Sequence, residues 1–298
     1  MREVTIRSPG SCGEFIQGIY GGEPCLVSCP IDMYASLTVR EGPPRAFLPG
    51  KASLMYERIF EEYAIPRGEK HHIDVALRSD IPLEKGMASS TADIAAVALG
   101  LSAYFDLGMD DRRIAELCIA IEPTDNLMFP RLNLFNHVDG DVLMDFGESL
   151  EASILIVDFA GRINTVGFHG QREGYGSEDQ RRFARVVRHF REGVAAGDLD
   201  WVGGACTESA RLNQKILYKP HLETLIDLCQ SNGGHGIVTG HSGTVIGVLY
   251  SKERFDYKGF MTAFINAVPP KDYEAIYLRR VIPGGLSIDQ SKRKQEEL

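Results

Sequence analysis

Ile81-Pro-Leu-Glu-Lys-Gly-Met-Ala-Ser-Ser-Thr-Ala-Asp93 lies between a strand pattern, Ile73, Val75 and Leu77, and a helical pattern over residues 90–105. In the latter, Ile94, Val97, Ala98 and Leu101 share one face. Small and hydroxyl-bearing residues therefore collect where a strand ends and a helix begins. A helix N-terminus carries unpaired backbone N–H groups and roughly half a positive charge, so this junction can hold an anion without a side-chain cation. Gly86 and Ala88 let the backbone close on phosphate, and Ser89, Ser90 and Thr91 can cap the helix, donate to phosphate oxygen or ligate Mg. Read alone, the Ser-Ser-Thr run is equally well a serine-capped helix with no ligand.

A chain of 298 residues with 44% apolar content has the length for two compact domains and a sizeable core. Lys and Arg number 32 against 41 Asp and Glu, a net charge of −9. That balance argues against broad binding to nucleic acid or anionic lipid, and any phosphate site must be built locally. The first ten residues alternate Val4 and Ile6 with polar neighbours, unlike a signal peptide, and no run is long and apolar enough to span a bilayer. A cytoplasmic protein is expected. The six cysteines, Cys12, Cys25, Cys29, Cys118, Cys206 and Cys229, have no zinc-finger spacing and read as reduced thiols.

The first quarter reads as strands: Val4 and Ile6, then Met33, Ala35, Leu37 and Val39, then Ile73, Val75 and Leu77. After the helix at 90–105 comes one at 111–121, with Ile114, Leu117, Cys118 and Ile121 on its face and Asp110 as N-cap. A strand over Ile154 to Val157 follows an acidic turn, which places a boundary between domains 1–150 and 151–298. Ser177-Glu178-Asp179-Gln180 reads as a capping box opening a helix on Phe183, Val186, Val187, Phe190 and Val194. Two more helices and a strand pair follow, the latter with Val245, Ile246, Val248 and Leu249. A helix on Phe260, Phe264 and Ile265 and a strand on Ile276, Leu278 and Val281 complete the pattern, and Asp289 to Leu298 reads as a frayed charged end. Such alternation indicates an α+β fold.

The stretch from Pro82 to Ala92 resembles the P-x-x-x-G-[LM]-[GA]-S-S-[AT]-A signature of the GHMP kinases, the family of galactokinase, homoserine kinase and mevalonate kinase. Pro82, Gly86, Met87, Ser89, Ser90 and Ala92 fall in place. The resemblance implies that Pro82, Lys85, Gly86, Met87, Ala88, Ser89, Ser90 and Thr91 surround the phosphates of ATP, with Ser90 helping to hold Mg. Ser8-Pro-Gly-Ser-Cys-Gly-Glu14 resembles the family's first motif, P-G-K-x-x-L-x-G-E, which lines the acceptor pocket. It is three residues shorter, and Ser11 replaces the common Lys, so a Lys-assisted mechanism is not implied. Gly236 to Gly247 resembles the third, glycine-rich motif. Ser11, Cys12, Gly13 and Glu14 from the first motif and Gly240, His241, Ser242 and Gly243 from the third are thereby acceptor-site candidates. Pro9 to Gly18, with Glu122-Pro-Thr-Asp125, narrows the resemblance to the L-threonine kinases of cobalamin biosynthesis over nearly the whole chain.

That resemblance implies an N-terminal domain like ribosomal protein S5 domain 2, a ferredoxin-like C-terminal domain, and ATP between them. It also gives Asp125 a catalytic role, as base or as electrostatic group, where an Asx-turn after proline is the bland alternative. Glu122 is a Mg ligand or a solvated helix end. A zwitterionic acceptor needs a carboxylate near its ammonium, for which Glu14 and Asp32 are candidates. Its carboxylate needs donors, for which Ser11, Arg131 and Asn213 are candidates. His71 and His72, read on a strand, point to opposite faces and do not share a metal. Asp145-Phe-Gly147 spells a protein-kinase tripeptide without the HRD loop, and no P-loop is present. The expected partners are ATP and the amino acid, with a homodimer left open. L-Serine or L-homoserine as acceptor, and a catalytically silent nucleotide-binding sensor, are the alternatives.

Overall fold

Alternating apolar residues at the start of the chain build two long strands, β1 (Glu3–Tyr20) and β2 (Glu23–Glu41), paired antiparallel across Gly21-Gly22. The computed structural model describes residues 2–45, 47–162 and 174–289. The charged end from residue 290 lies outside them. Register shifts break the β1–β2 ladder between Pro9 and Gly10, between Ser11 and Glu14, and between Glu14 and Ile16. Irregularities of this kind re-aim side chains, and here they fall on the Ser8–Glu14 motif.

Against β2 lie β3 (Ile73–Ser79) and β4 (Leu132–Phe135), the latter followed by β5 (Val142–Gly147). Three helices cover this part of the sheet: α1 (Gly50–Glu62), α2 (Ser89–Phe105) and α3 (Asp111–Ile119). Asp110 caps α3, its carboxylate accepting from Arg113 N–H at 2.8 Å. α2 is buried on nearly every side, with Ile94, Ala95, Val97, Ala98 and Leu101 fully inaccessible. It forms the central rod of this half.

The second half contains β6 (Ser153–Phe159), α4 (Ser177–Ala196), α5 (Leu199–Asn213), α6 (Leu222–Ser231), β7 (Gly236–Thr239), β8 (Val245–Tyr250), α7 (Tyr257–Ala267) and β9 (Tyr273–Arg280). Its strands are ordered β7-β8-β6-β9, all antiparallel, which is the split βαββαβ arrangement of a ferredoxin-like layer. β1 joins the two halves by pairing with β7 at Glu14 and Thr239, and β10 (Ser287–Asp289) returns to pair with β1. The sheet thus runs β5-β4-β2-β1-β7-β8-β6-β9, in an α+β architecture. Among the described residues no helix is long and apolar enough to cross a membrane.

Several local expectations change. The first quarter is not all strand: α1 buries Ala52, Met55, Ile59 and Phe60 on one face. His71 ends a 3₁₀ turn and His72 follows it, so neither lies on β3. The N-cap of α4 is Gly176, whose N–H donates to Asp179 at 3.2 Å, one position earlier than the capping box read at Ser177. Ile265 is 57% exposed because the buried face of α7 is set by Phe260 and Phe264, one turn apart, and Ile265 points 100° away from Phe264. Leu278 is 46% exposed because β9 ends the sheet order.

Candidate active site

The residue before α2, Ala88, adopts a left-handed conformation with φ +58°, and no side chain caps the helix. A left-handed non-glycine residue costs about 1–2 kcal/mol. Ser89 lies inside the helix. Ser90 and Thr91 turn away from their own backbone: Ser90 Oγ donates to Glu122 Oε1, and Thr91 Oγ1 is 2.9 Å from Thr124 Oγ1 and 3.4 Å from Asp125 Oδ2. The serine-cap alternative therefore does not hold, and the positive end of α2 opens to the cleft beside it.

The segment entering α2 is clamped from two sides. Ser11 N–H of β1 donates to Met87 C=O at 3.1 Å, and Thr244 and Val245 N–H donate to Lys85 C=O at 3.0 and 3.3 Å. Gly86 has φ +76°, and a Cβ there would lie 2.6 Å from Gly243 Cα. The three sequence motifs thus meet by backbone contact that side chains would obstruct. Lys85 itself turns away from the cleft. Its buried ammonium is 2.9 Å from both Asp158 and Glu274 and donates to Phe159 C=O at 3.1 Å. Burial opposes its charge, but the bonds to Glu274 and Asp158 prevail and hold it above the usual lysine range.

The cleft has a volume of about 610 Å³. Gly86, Met87, Ala88, Ser89, Ser90 and Thr91 form one wall, and Glu14, Glu122, Asp125 and Ser242 line it from neighbouring elements. Glu122 accepts from Ser90 and pairs with Lys51 at the start of α1. Asp125 accepts from Ser28 Oγ at 3.3 Å and Thr91 Oγ1 at 3.4 Å. Burial, then the adjacent Glu14 carboxylate, pushes the Asp125 carboxyl well above the usual range. Glu14 stands next to Asp125 in the cleft, and its charge is one reason the Asp125 carboxyl is raised.

Glu14 is fixed from behind by His241, whose backbone N–H donates at 2.8 Å and whose Nδ1 lies 3.0 Å from the same oxygen. Nδ1 is also 3.1 Å from Thr239 C=O, so both neighbours of Nδ1 accept and it carries the proton. Nε2 then accepts from Ser209 Oγ at 3.0 Å. Asn213 Nδ2 donates to His241 C=O at 3.0 Å. Gly13 makes the tight approach possible: at φ +59°, a Cβ there would come within 2.3 Å of Thr239 O. Ser11 and Cys12 are buried beside it, and burial pushes the Cys12 thiol far up, leaving it an inert apolar group. All six cysteines are free and buried.

Two predicted acceptor residues lie elsewhere. Asp32 pairs with Arg280, accepting from its Nε at 3.0 Å and its backbone N–H at 2.8 Å. Arg131 is exposed and binds Asp145 at 3.0 Å and Glu148 at 2.5 Å, because β4 and β5 are paired next to it. Pro82, Gly240 and Gly243 do not line the cleft either, nor do Ser11, Cys12, Gly13, Asn213 and His241; the two glycines Gly240 and Gly243 pack behind the phosphate segment. Conversely, Lys51, Glu84, Asp93 and Arg162 line it without a sequence assignment. Asp93 Oδ1 has no hydrogen-bond partner, and burial raises its carboxyl to about 6.

Five carboxylates, Glu14, Glu84, Asp93, Glu122 and Asp125, face this cleft against two cations, Lys51 and Arg162. A polyphosphate enters such a field only with its charge neutralised. Among the described residues no group of three or more His, Cys, Asp or Glu could hold a metal ion alone. Ser90 and Glu122 supply two hard oxygens beside an anion-binding helix end. That suits Mg, which is ordinarily held by one or two protein oxygens with water and substrate phosphate completing the shell.

The description GHMP kinases N terminal domain matches residues 51–129 and GHMP kinases C terminal matches residues 190–256. A protein of Salmonella typhimurium named L-threonine kinase is 30% identical over 286 residues, covering 96% of this chain and 95% of its own. One of the same name from Citrobacter freundii is 29% identical over 301 residues, covering 96% and 99%. Among solved structures, a putative homoserine kinase of Listeria monocytogenes superimposes with a TM-score of 0.70 at 14% identity, covering 97% of this chain and all of its own, a likeness of fold. Matched by both domain descriptions and by a relative at 30% identity along nearly its whole length, the chain belongs to the GHMP kinase family of small-molecule kinases.

Proposed function

We propose that this kinase transfers the γ-phosphoryl group of ATP to the side-chain hydroxyl of L-threonine, giving L-threonine O-3-phosphate for the aminopropanol linker of cobalamin. The observation that carries the reading is the position of Asp125, between the open N-terminus of α2 and Glu14, in one cleft. The near-full-length similarity to two proteins named L-threonine kinase supports the choice of acceptor.

In this reading the backbone N–H groups at the start of α2 hold phosphate, and Lys51 adds a cation at the same wall. Ser90 and Glu122 would hold Mg, which when bound neutralises phosphate charge. Asp125 receives the proton of the acceptor hydroxyl. Its raised carboxyl makes the ionised form a stronger base than an ordinary aspartate. Glu14, oriented by His241, faces the acceptor's ammonium, and a cation arriving there favours the ionised form of the neighbouring Asp125. Lys85 positions the phosphate segment against β6 and β9.

We place the division between domains near residue 150, with the phosphate segment in 1–150 and the glycine-rich support in 151–298, and the enzyme in the cytoplasm, where its thiols stay reduced. The silent-sensor alternative is disfavoured by the joint presence of Ser90, Glu122 and Asp125 in the cleft. The test is ADP release from Mg-ATP with L-threonine, L-serine, L-homoserine, mevalonate and galactose. Threonine is expected to give the highest kcat/KM. Serine, lacking one methyl, should be poorer by about 10–200-fold. A preference for another acceptor keeps the kinase and removes threonine, and nucleotide binding without turnover on any acceptor favours the sensor.

A further inference from the structure

Lys219 was assigned no role by the motifs. It lies in the turn after α5, its backbone pinned by Gln214, whose Oε1 accepts from Lys219 N–H at 2.7 Å and whose Nε2 donates to Lys219 C=O at 3.1 Å. Its side chain runs inward: the residue is 7% exposed, and Nζ has no hydrogen-bond partner. An ammonium taken out of water without a partner is strongly disfavoured. Among the described residues, Glu14 is the carboxylate whose charge it feels, though the two make no direct ion pair. Burial therefore prevails and lowers its ammonium to about 8.

Other unpartnered polar atoms accompany it. Asn213 Oδ1, on the residue that bonds His241, has no partner, nor has Thr239 Oγ1, on the residue paired with Glu14, nor Ser11 Oγ, three positions before Glu14. Buried polar atoms are satisfied as a rule, so four orphans on residues tied to Glu14 or His241 by charge, hydrogen bonding, strand pairing or sequence mark a place that suits a polar ligand. The set holds one cation, one carboxylate, one amide oxygen and two hydroxyls. That is the complement of a zwitterion: Glu14 and Asn213 Oδ1 accept from an ammonium, and Lys219 donates to a carboxylate.

We propose that Lys219 is the carboxylate-binding residue of the acceptor site, with Asn213 and Glu14 taking the ammonium, so that the enzyme selects free α-amino acids over neutral or uncharged alcohols. This rests on the amino-acid acceptor reading above. Lys219 does the work the sequence had given to Ser11, Arg131 and Asn213: Arg131 is held on the surface by Asp145 and Glu148, and Asn213 turns to the ammonium. Lys219 is a specificity residue and takes no part in proton transfer.

The experiment compares L-threonine with L-threoninamide, which keeps the ammonium and hydroxyl but loses the negative charge, in wild type, Lys219→Met and Lys219→Arg. A charge-assisted bond of this kind corresponds to about 10–150-fold in binding. The wild type is expected to favour threonine by at least that factor. Lys219→Met should raise the KM for threonine by a similar factor, leave kcat within about threefold, and leave the amide nearly unaffected, so that the discrimination collapses. Lys219→Arg should retain part of it. Folding of Lys219→Met is checked by melting. A folded-state lysine value depressed to about 8 makes the wild-type penalty full below pH 8 and lets it fade as pH rises toward the unfolded value near 10.4. The variant should therefore melt higher at neutral pH. Equal loss on both substrates, or an unchanged threonine-to-amide ratio, overturns the role of Lys219. A wild type that turns over no amino acid overturns the acceptor reading itself.

Discussion

Ser90, on the first turn of α2, donates its hydroxyl hydrogen to Glu122, which lies beyond the end of α3 and also pairs with Lys51. A hydroxyl that could have capped its own helix is instead committed to a carboxylate at the cleft wall. If the two oxygens hold Mg together, Ser90→Ala and Glu122→Gln should each raise the Mg concentration for half-maximal rate by at least about tenfold. The double variant should fall well short of the sum of the two, because the residues act as one unit. Additive losses with an unchanged Mg requirement would assign the pair to structure alone.

Asp125→Asn should separate stability from activity. Removing a group that acts only in the transition state is expected to lower kcat by about 10²–10³-fold, or about 2.7–4 kcal/mol. The Asp125 carboxyl is raised in the folded protein, so its favourable contribution is complete below the unfolded carboxylate range and is lost as pH rises through the folded value. At neutral pH the amide escapes that loss, so the inactive variant should melt higher than wild type, with the gap closing toward pH 4. In wild type the acid limb of kcat/KM should lie above that of an ordinary carboxylate. A variant that is both inactive and markedly less stable would point to a structural aspartate.

Gly243 is predicted to tolerate no side chain. An added Cβ would stand 2.2 Å from Lys85 O and 2.3 Å from Gly86 Cα, both backbone atoms that cannot move aside. Gly243→Ala should displace the phosphate segment, raise the KM for ATP and lower the melting temperature. Gly204 of α5, whose Cβ would meet nothing within 4 Å, is the matched control. Gly204→Ala should leave kinetics intact and stabilise by roughly 0.5–1 kcal/mol.

The parts of this site that were legible in sequence are those fixed by local chemistry. The start of α2 follows from a helical period preceded by glycine and small residues, and His241 is marked by its place in a glycine-rich turn. α1 was hidden because Pro49-Gly50 punctuates its start like a loop and no acidic first turn announces it, so Lys51 had no visible element to carry it. Asp32 and Arg131 were misplaced because their real partners, Arg280 and Asp145, are brought to them by strand pairing that no local pattern encodes. Lys219 is the extreme case. Which way its side chain runs depends on Gln214 folding the turn back, and a lysine between Tyr218 and Pro220 reads as surface.

The most direct test of the central claim is isolation of the product after incubating wild type with Mg-ATP and L-threonine. L-Threonine O-3-phosphate should form in equal amount to ADP, both about 10²–10³-fold more slowly in Asp125→Asn. ADP formed without phosphothreonine, or phosphothreonine made as fast by Asp125→Asn, would contradict it.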